Sequence, residues 1–451
     1  MRQQCRAMGL DRSVSLLEAS RFWWQLGWVS FGGPAGQIAL LHRELVEQRR
    51  WLSERRYLHA LNFCMLLPGP EATQLATYLG WLMHGWPVAL IAGALFLLPS
   101  ALLISALAWL YAVWGSWPLL ASVFAALKPV VLAMVVVAAW RLARRTLRTP
   151  LHALLAAVAF VLLLASALPY PVLVLGAALV GWLAGRWRPR WILPAAAETS
   201  AVPAAEVSVD LAVAGLAPLH GDHTPTPAHA RFSGRGMLLT LLAWGLATFA
   251  PLAALVRLGG WDGSLALMAR FFSQVALVSF GGAYAVLPYV AQGAVEQHGW
   301  LSASQMLDGL ALGETTPGPL IMVLAFVGFM GGWSTGVGGW AAAAVTVWFT
   351  FLPSFGFILV GAPLVEASRG DQRFTAPLTA ITAALVGVIA CLAVWFALPV
   401  LLPAGHLDAM AVLLVLAALW LLLRQRWGVL PLIGSAALLG VLRFGLAELV
   451  Q

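Results

Sequence analysis

The chain has 451 residues, 61% of them hydrophobic and only 10% charged, with 22 tryptophans and a mean hydropathy of +0.87. Soluble proteins carry about 25% charged residues, so a soluble globular enzyme, a disordered chain and a disulfide scaffold are excluded. The formal charge of +8 comes from 26 basic residues, all arginine but Lys128, against 18 acidic ones; they sit in short loops between apolar runs, a membrane-protein pattern that excludes nucleic acid as a partner.

In chain order, residues 1–20 carry Arg2, Arg6 and Arg12 but no apolar core ahead of a small-residue cleavage site, and read as a retained N-terminus. Stretches 14–30 and 35–48 flank Phe31-Gly32-Gly33-Pro34, and stretches 53–67 and 71–84 flank Pro68-Gly69-Pro70. Proline and glycine end helices, and lipid would not tolerate His42, Arg43 and Glu44. Both pairs therefore predict helix–break–helix hairpins buried in protein, re-entrant or fully crossing. Runs 86–114, 118–141, 151–168 and 171–187 span, or nearly span, a hydrocarbon core of roughly 30 Å. Residues 188–235, rich in Pro, Ala and His, predict a solvated linker; His220, His223 and His229 with Asp222 suit a tether better than a metal site. No metal or cofactor is expected. A connecting span follows at 236–257, and four more apolar runs occupy 336–361, 375–400, 408–424 and 427–446. Cys5, Cys64 and Cys391 show neither disulfide nor zinc spacing.

Residues 21–70 overlay residues 270–319 without a gap at an offset of 249, with 19 of 50 positions identical, rare Trp, Pro and Gln among them. The chain is a fused pair. With a cytoplasmic N-terminus, the arginines of 43–56, 141–148 and 186–190 fall inside, together with Arg231, Arg235, Arg369, Arg373, Arg424 and Arg426. The odd span at 236–257 then turns the second copy upside down. The expected fold is an all-α polytopic membrane protein of two inverted-topology repeats. Its units are a first repeat at 1–187, a cytoplasmic linker at 188–235, a connecting helix at 236–257 and a second repeat at 258–451.

Inverted repeats with helices broken at membrane depth are secondary-transporter architecture. A break exposes unpaired N–H groups at the next helix start, a partial positive charge suited to anions. Four such starts are expected, at Pro34, Glu71, Ala283 and Leu320, after the tips Ser30-Phe31-Gly32-Gly33-Pro34, Pro68-Gly69-Pro70, Ser279-Phe280-Gly281-Gly282 and Pro317-Gly318-Pro319. The competing reading is that these motifs merely make tight turns. Lys128 lies mid-way along its run and either balances an anion or snorkels; the matched Arg21 and Arg270 face the site or mark a hairpin base. Glu71 and Glu314 carry a coupling proton or, at Glu71, cap a helix start. Gln25, Gln274, Ser30, Ser279, Thr315 and Thr316 supply hydrogen-bond donors. Nucleotide loop, nucleophile–His pair and metal-ligand spacing are all absent, so no enzyme is expected.

At Phe31-Gly32-Gly33-Pro34-Ala35-Gly36-Gln37, His42-Arg43-Glu44-Leu45-Val46, Leu66-Leu67-Pro68-Gly69-Pro70-Glu71-Ala72, Phe280-Gly281-Gly282 and Glu314-Thr315-Thr316-Pro317-Gly318-Pro319, the chain resembles the chromate ion transporter family, in its long two-domain form. It departs from the family at Ala325, where a Gln precedes Phe-Val-Gly. The resemblance implies export of chromate from a prokaryotic cytoplasm across the inner membrane, and hence chromate resistance. The residues alone reach only an anion transporter. Sulfate or another oxyanion as the true cargo, and an anion channel, stay open as alternatives. The expected partners are chromate, competing sulfate and the lipid bilayer; a homo-oligomer is left open.

Overall fold

A computed structural model describes residues 14–165, 168–192, 219–221, 224, 227–230, 232–367, 375–425 and 427–450. Among these residues the only extended pairing is an isolated bridge between Leu52 and His220, and the protein is all-α. Asp222, His223, Arg231, Arg369, Arg373, Arg426 and the N-terminal arginines lie outside the described residues.

The first repeat runs α1 (Leu16–Val29), α2 (Gly33–His42), α3 (Glu54–Leu66), α4 (Glu71–His84), α5 (Trp86–Trp114), α6 (Pro118–Thr146), α7 (Pro150–Leu164) and α8 (Tyr170–Trp187). After α9 (Gly234–Gly259) the same series returns as α10 (Ser264–Leu277), α11 (Ala283–Ala291), α12 (Ala303–Thr315), α13 (Val323–Ser334), α14 (Gly339–Ala367), α15 (Thr375–Leu401), α16 (Ala409–Leu423) and α17 (Val429–Val450). The recurrence reaches fine detail. Helices α2 and α11 each end in one wide π-helical turn, Arg43–Gln48 and Gln292–Gln297, again 249 residues apart.

Among the described residues seven helices, α5, α6, α8, α9, α14, α15 and α17, are long and apolar enough to cross a membrane. The protein is therefore polytopic. The run expected over 151–168 is a shorter helix, α7, started by Thr149 capping the His152 N–H and by Pro150 at its first position. Helix α9 buries none of its residues; Leu238, Leu242, Leu246 and Phe249 are all exposed. It touches the rest through α10 and α14, and from α14 the Trp348 indole donates to the Ala247 carbonyl at 3.1 Å. An apolar helix bare on its other faces suits lipid as its solvent.

The repeats interlock. Helix α15 packs on α6, α7 and α8, while α6 packs on α15, α16 and α17, with the Ser122 hydroxyl donating to the Gly440 carbonyl at 2.9 Å. Around the first hairpins, Phe22, Trp23, Tyr57, Tyr78 and Phe96 form a separate aromatic core. The end of the linker docks onto the same hairpins: Arg56 donates to the Thr224 carbonyl at 2.6 Å, and His229 Nε2 sits 3.0 Å from the Trp81 carbonyl. Burial, with Arg56, His84 and His229 adding to it, pushes the His220 imidazole below its ordinary value, so it sits there neutral.

Candidate anion site at the hairpin tips

Each hairpin breaks where its sequence demands. Gly32, Gly33, Gly69, Gly281, Gly282 and Gly318 all have φ between 67° and 126°, a backbone region that side chains other than hydrogen rarely permit. At three of the four outer ends of the hairpins the helices are closed off by side chains: Ser15 caps α1, Ser53 caps α3, and Ser302 with Gln305 forms a capping box on α12, while Gly263 ahead of α10 offers none. At the tips the caps are Gly32, Pro70, Gly282 and Pro319, and none has a side chain bonded to the helix start. The N-terminal amides of α2, α4 and α11, and of the 3-10 turn Leu320–Met322 ahead of α13, are left without side-chain partners.

The tips meet crosswise. The Gly69 N–H donates to the Ser279 carbonyl at 2.6 Å, and the Gly318 N–H to the Ser30 carbonyl at 2.7 Å. These are the same bond twice, since 69 and 318, like 30 and 279, are 249 apart. Each Pro-Gly-Pro tip thus docks on the Phe-Gly-Gly tip of the other repeat. Between them lies a cavity of about 10 Å³, lined by Pro34 and Gln37, by Gly69 to Ala72, by Ser279, Gly282 and Ala283, and by Pro319 to Ile321. All four tips contribute. The volume holds roughly one water, so the tips must part to admit a tetrahedral oxyanion.

Several buried polar atoms around the tips are unsatisfied. The hydroxyls of Ser30, Thr73, Ser100 and Ser354 and the Gln74 carbonyl oxygen find no hydrogen-bond partner among the described residues, although their residues are at most 2% exposed. Orphaned buried polar groups cost stability and mark places where a ligand or water completes the bonding. The amide groups of Gln37 and Gln74 donate to the carbonyls of Ser30 and Pro68, at 3.4 and 2.7 Å.

Not every expected residue comes to this cavity. Arg21 and Gln25 line a separate open cavity of about 270 Å³ with Ser15, Glu18 and Arg49. Arg270 lies over the Trp261 ring, donates to the Trp261 carbonyl at 3.0 Å and sits 3.8 Å from Asp262; Gln274 accepts from the Tyr289 hydroxyl. Thr315 and Thr316 spend their hydroxyls on the carbonyls of Leu312 and Gly313. Glu71 lines the cavity, whereas Glu314 is held by the Tyr284 hydroxyl. Lys128 lies apart, against Asp308.

Sequence reasoning missed Gln37, Gln74, Ser100 and Ser354. The two serines had a signal, the repeated Leu-Pro-Ser of 98–100 and 352–354, but at an offset of 254 that a search at 249 passes over.

The model of the chromate transporter family matches residues 17–182 and again 266–441, two copies covering most of the chain. The chain belongs to the chromate transporter family. Family relatives include the chromate transport protein of Cupriavidus metallidurans, 28% identical over 96% of this chain and 94% of its own. The chromate transport protein of Pseudomonas aeruginosa is 30% identical over 81% and 77% of the two chains, and a probable chromate transport protein of Synechococcus elongatus is 26% identical over 84% of each. No solved structure matches. The family is one of membrane transporters, and chromate transport with multi-pass membrane embedding fits both the helices and these relatives.

Proposed function

We propose that this protein is a secondary active transporter that exports chromate across the cytoplasmic membrane of a prokaryote and so confers chromate resistance. The observation that carries the reading is the meeting of four helix starts, each without a side-chain cap, around one cavity, with orphaned hydroxyls buried next to the tips that line it. That arrangement offers a tetrahedral dianion N–H and O–H donors without a fixed counter-charge, and so allows release as well as capture. The substrate site comprises the four tips, joined by Gln37, Gln74, Ser100 and Ser354. The two repeats, inverted relative to each other, part and close around it in alternation, with the N-terminus and linker on the cytoplasmic side. Glu71 lines the cavity and repels a dianion unless it is protonated, which makes it the nearer of the two carboxylates for coupling protons. Arg141, Arg145 and the arginines of the open 270 Å³ cavity make the cytoplasmic approach positive.

Inverted membrane vesicles test this. They accumulate labelled chromate, and excess sulfate competes only in part; robust sulfate transport without chromate uptake would overturn the chromate assignment. The same assay ranks the arginines. Arg270→Ala leaves flux within about threefold of wild type, because Arg270 lies away from the tip cavity; it costs about 1–2 kcal/mol of stability, more from the lost Trp261 ring and carbonyl contacts than from the pair with the 91% exposed Asp262.

A further inference from the structure

One ion pair between a spanning helix and a hairpin arm takes no part in the tip site. Lys128 of α6, in the first repeat, places Nζ 3.5 Å from Asp308 Oδ1 of α12, in the second. Lys128 also donates to Ser304 Oγ at 2.6 Å, and the Tyr111 hydroxyl of α5 donates to Asp308 Oδ2 at 2.8 Å. Asp308 is 3% exposed, and its Oδ1 accepts no hydrogen bond. Other ion pairs, such as Arg49–Glu44 and Arg270–Asp262, close within one repeat; this one joins the two.

The surroundings leave Asp308 little other compensation. Of the helices packed on α12, α13 carries no charged residue and α15 only Cys391 as a titratable group; Arg443 and Glu448 of α17 lie beyond Gly440, which meets Ser122. On α6, Arg141 is 13 residues from Lys128, about 20 Å along the helix. On α12 itself Glu314 is held by Tyr284. Among the described residues the groups that meet Asp308 are therefore Lys128 and Tyr111, with Ser304 holding Lys128.

Alternation that shifts the hairpin arm α12 against α6 opens the pair that joins them. Once Lys128 withdraws, a bare carboxylate is stranded in apolar surroundings, an expensive state that a proton relieves. We propose that Asp308 is a proton-binding site coupled to the movement of the repeats, ion-paired with Lys128 while the tips are closed and protonated when the repeats part. The inference rests on the alternating-access reading above and adds one proton to the cycle. That proton comes from water on the side to which the parted state opens, forms an O–H bond at Oδ1, and is released to water on the opposite side when the pair re-forms there, so that one proton crosses per cycle; nothing is oxidised or reduced.

The test uses the full-length protein in proteoliposomes, with the membrane potential clamped at zero and labelled chromate as probe. Wild type exchanges chromate at equilibrium and accumulates it under an imposed one-unit pH gradient. Asp308→Asn keeps the exchange but sustains about tenfold less accumulation at that gradient, the loss of one coupled proton. An accumulation ratio equal to wild type overturns the proposal. Wild-type exchange that ignores the pH gradient overturns it too, while leaving the transport reading intact; absence of wild-type exchange sinks the transport reading instead. Should Asp308→Asn fail to insert, the reversed pair Lys128→Asp with Asp308→Lys decides. It regains the wild-type ratio if either position can carry the proton, and inserted protein blind to the gradient overturns the idea.

Discussion

Gly318→Ala abolishes chromate flux, and Gly69→Ala does the same. Gly318 has φ +106°, and a Cβ there would collide with Cβ and Oγ of Ser100; Gly69 has φ +126°, and its Cβ would meet Ser354 Oγ and come within 2.7 Å of Gln74 Nε2. Backbone strain and overpacking are each worth about 1–3 kcal/mol, and any shift of the tip also weakens the crosswise bond to Ser30 or Ser279. The expected loss is roughly 3 kcal/mol or more in thermal unfolding in detergent, with flux lost in vesicles even where the protein inserts. Gly318→Ala combined with Ser100→Gly removes the collision but keeps the strained φ, and recovers part of the stability. Gly32→Ala is the control. Its φ of +91° is also unfavourable, yet the nearest atom to a new Cβ is 3.7 Å away, so only the strain is incurred, about 1–3 kcal/mol. A Gly32 variant as damaging as Gly318→Ala would remove the crosswise docking from the explanation.

The second large effect is at Lys128. Lys128→Ala leaves Asp308 without its counter-charge and lowers stability by up to about 3–5 kcal/mol, the cost of removing one member of a buried pair, with the loss shrinking at low pH as Asp308 takes up a proton. Replacing both residues together, Lys128→Met with Asp308→Leu, restores most of that loss, because no unpaired charge remains. Melting curves of the two single variants and the double variant form a cycle that isolates the interaction. If the single and double variants melt alike, the pair contributes nothing to stability, and any loss of transport in Lys128→Ala has another origin.

Much of this architecture was legible because membrane proteins write their constraints locally. Glycine and proline mark the tips, apolar length marks the spans, and matching Trp51-Leu52-Ser53 to Trp300-Leu301-Ser302 exposes the duplication. What local signals cannot carry is which tip meets which. The bonds from Gly69 to Ser279 and from Gly318 to Ser30 join residues more than 200 positions apart and run between backbone atoms, which leave no residue-type signature. Asp308 was missed for a related reason. It sits in Ser-Gln-Met-Leu-Asp-Gly-Leu, a stretch that reads as a half-polar hairpin arm, and its partner lies 180 positions earlier. Lys128 announced itself as the lone lysine, but nothing nearby in sequence told that a carboxylate already occupied it. Arg21 and Arg270 are matched in the repeat yet serve different neighbours, because Trp261 and Asp262 exist on one side only.

The crosswise tip bonds also bear on how such a protein is assembled. A chain with a single repeat would carry a Pro-Gly-Pro amide and a Phe-Gly-Gly carbonyl at membrane depth with no mate of their own, where lipid offers no substitute. Such a half is incomplete by itself and is satisfied only by a second half that presents the complementary tip. Joining both halves through the α9 helix makes that encounter intramolecular and fixes the ratio at one to one. It also leaves each half free to diverge around a shared contact, as the differently engaged Arg21 and Arg270 already have.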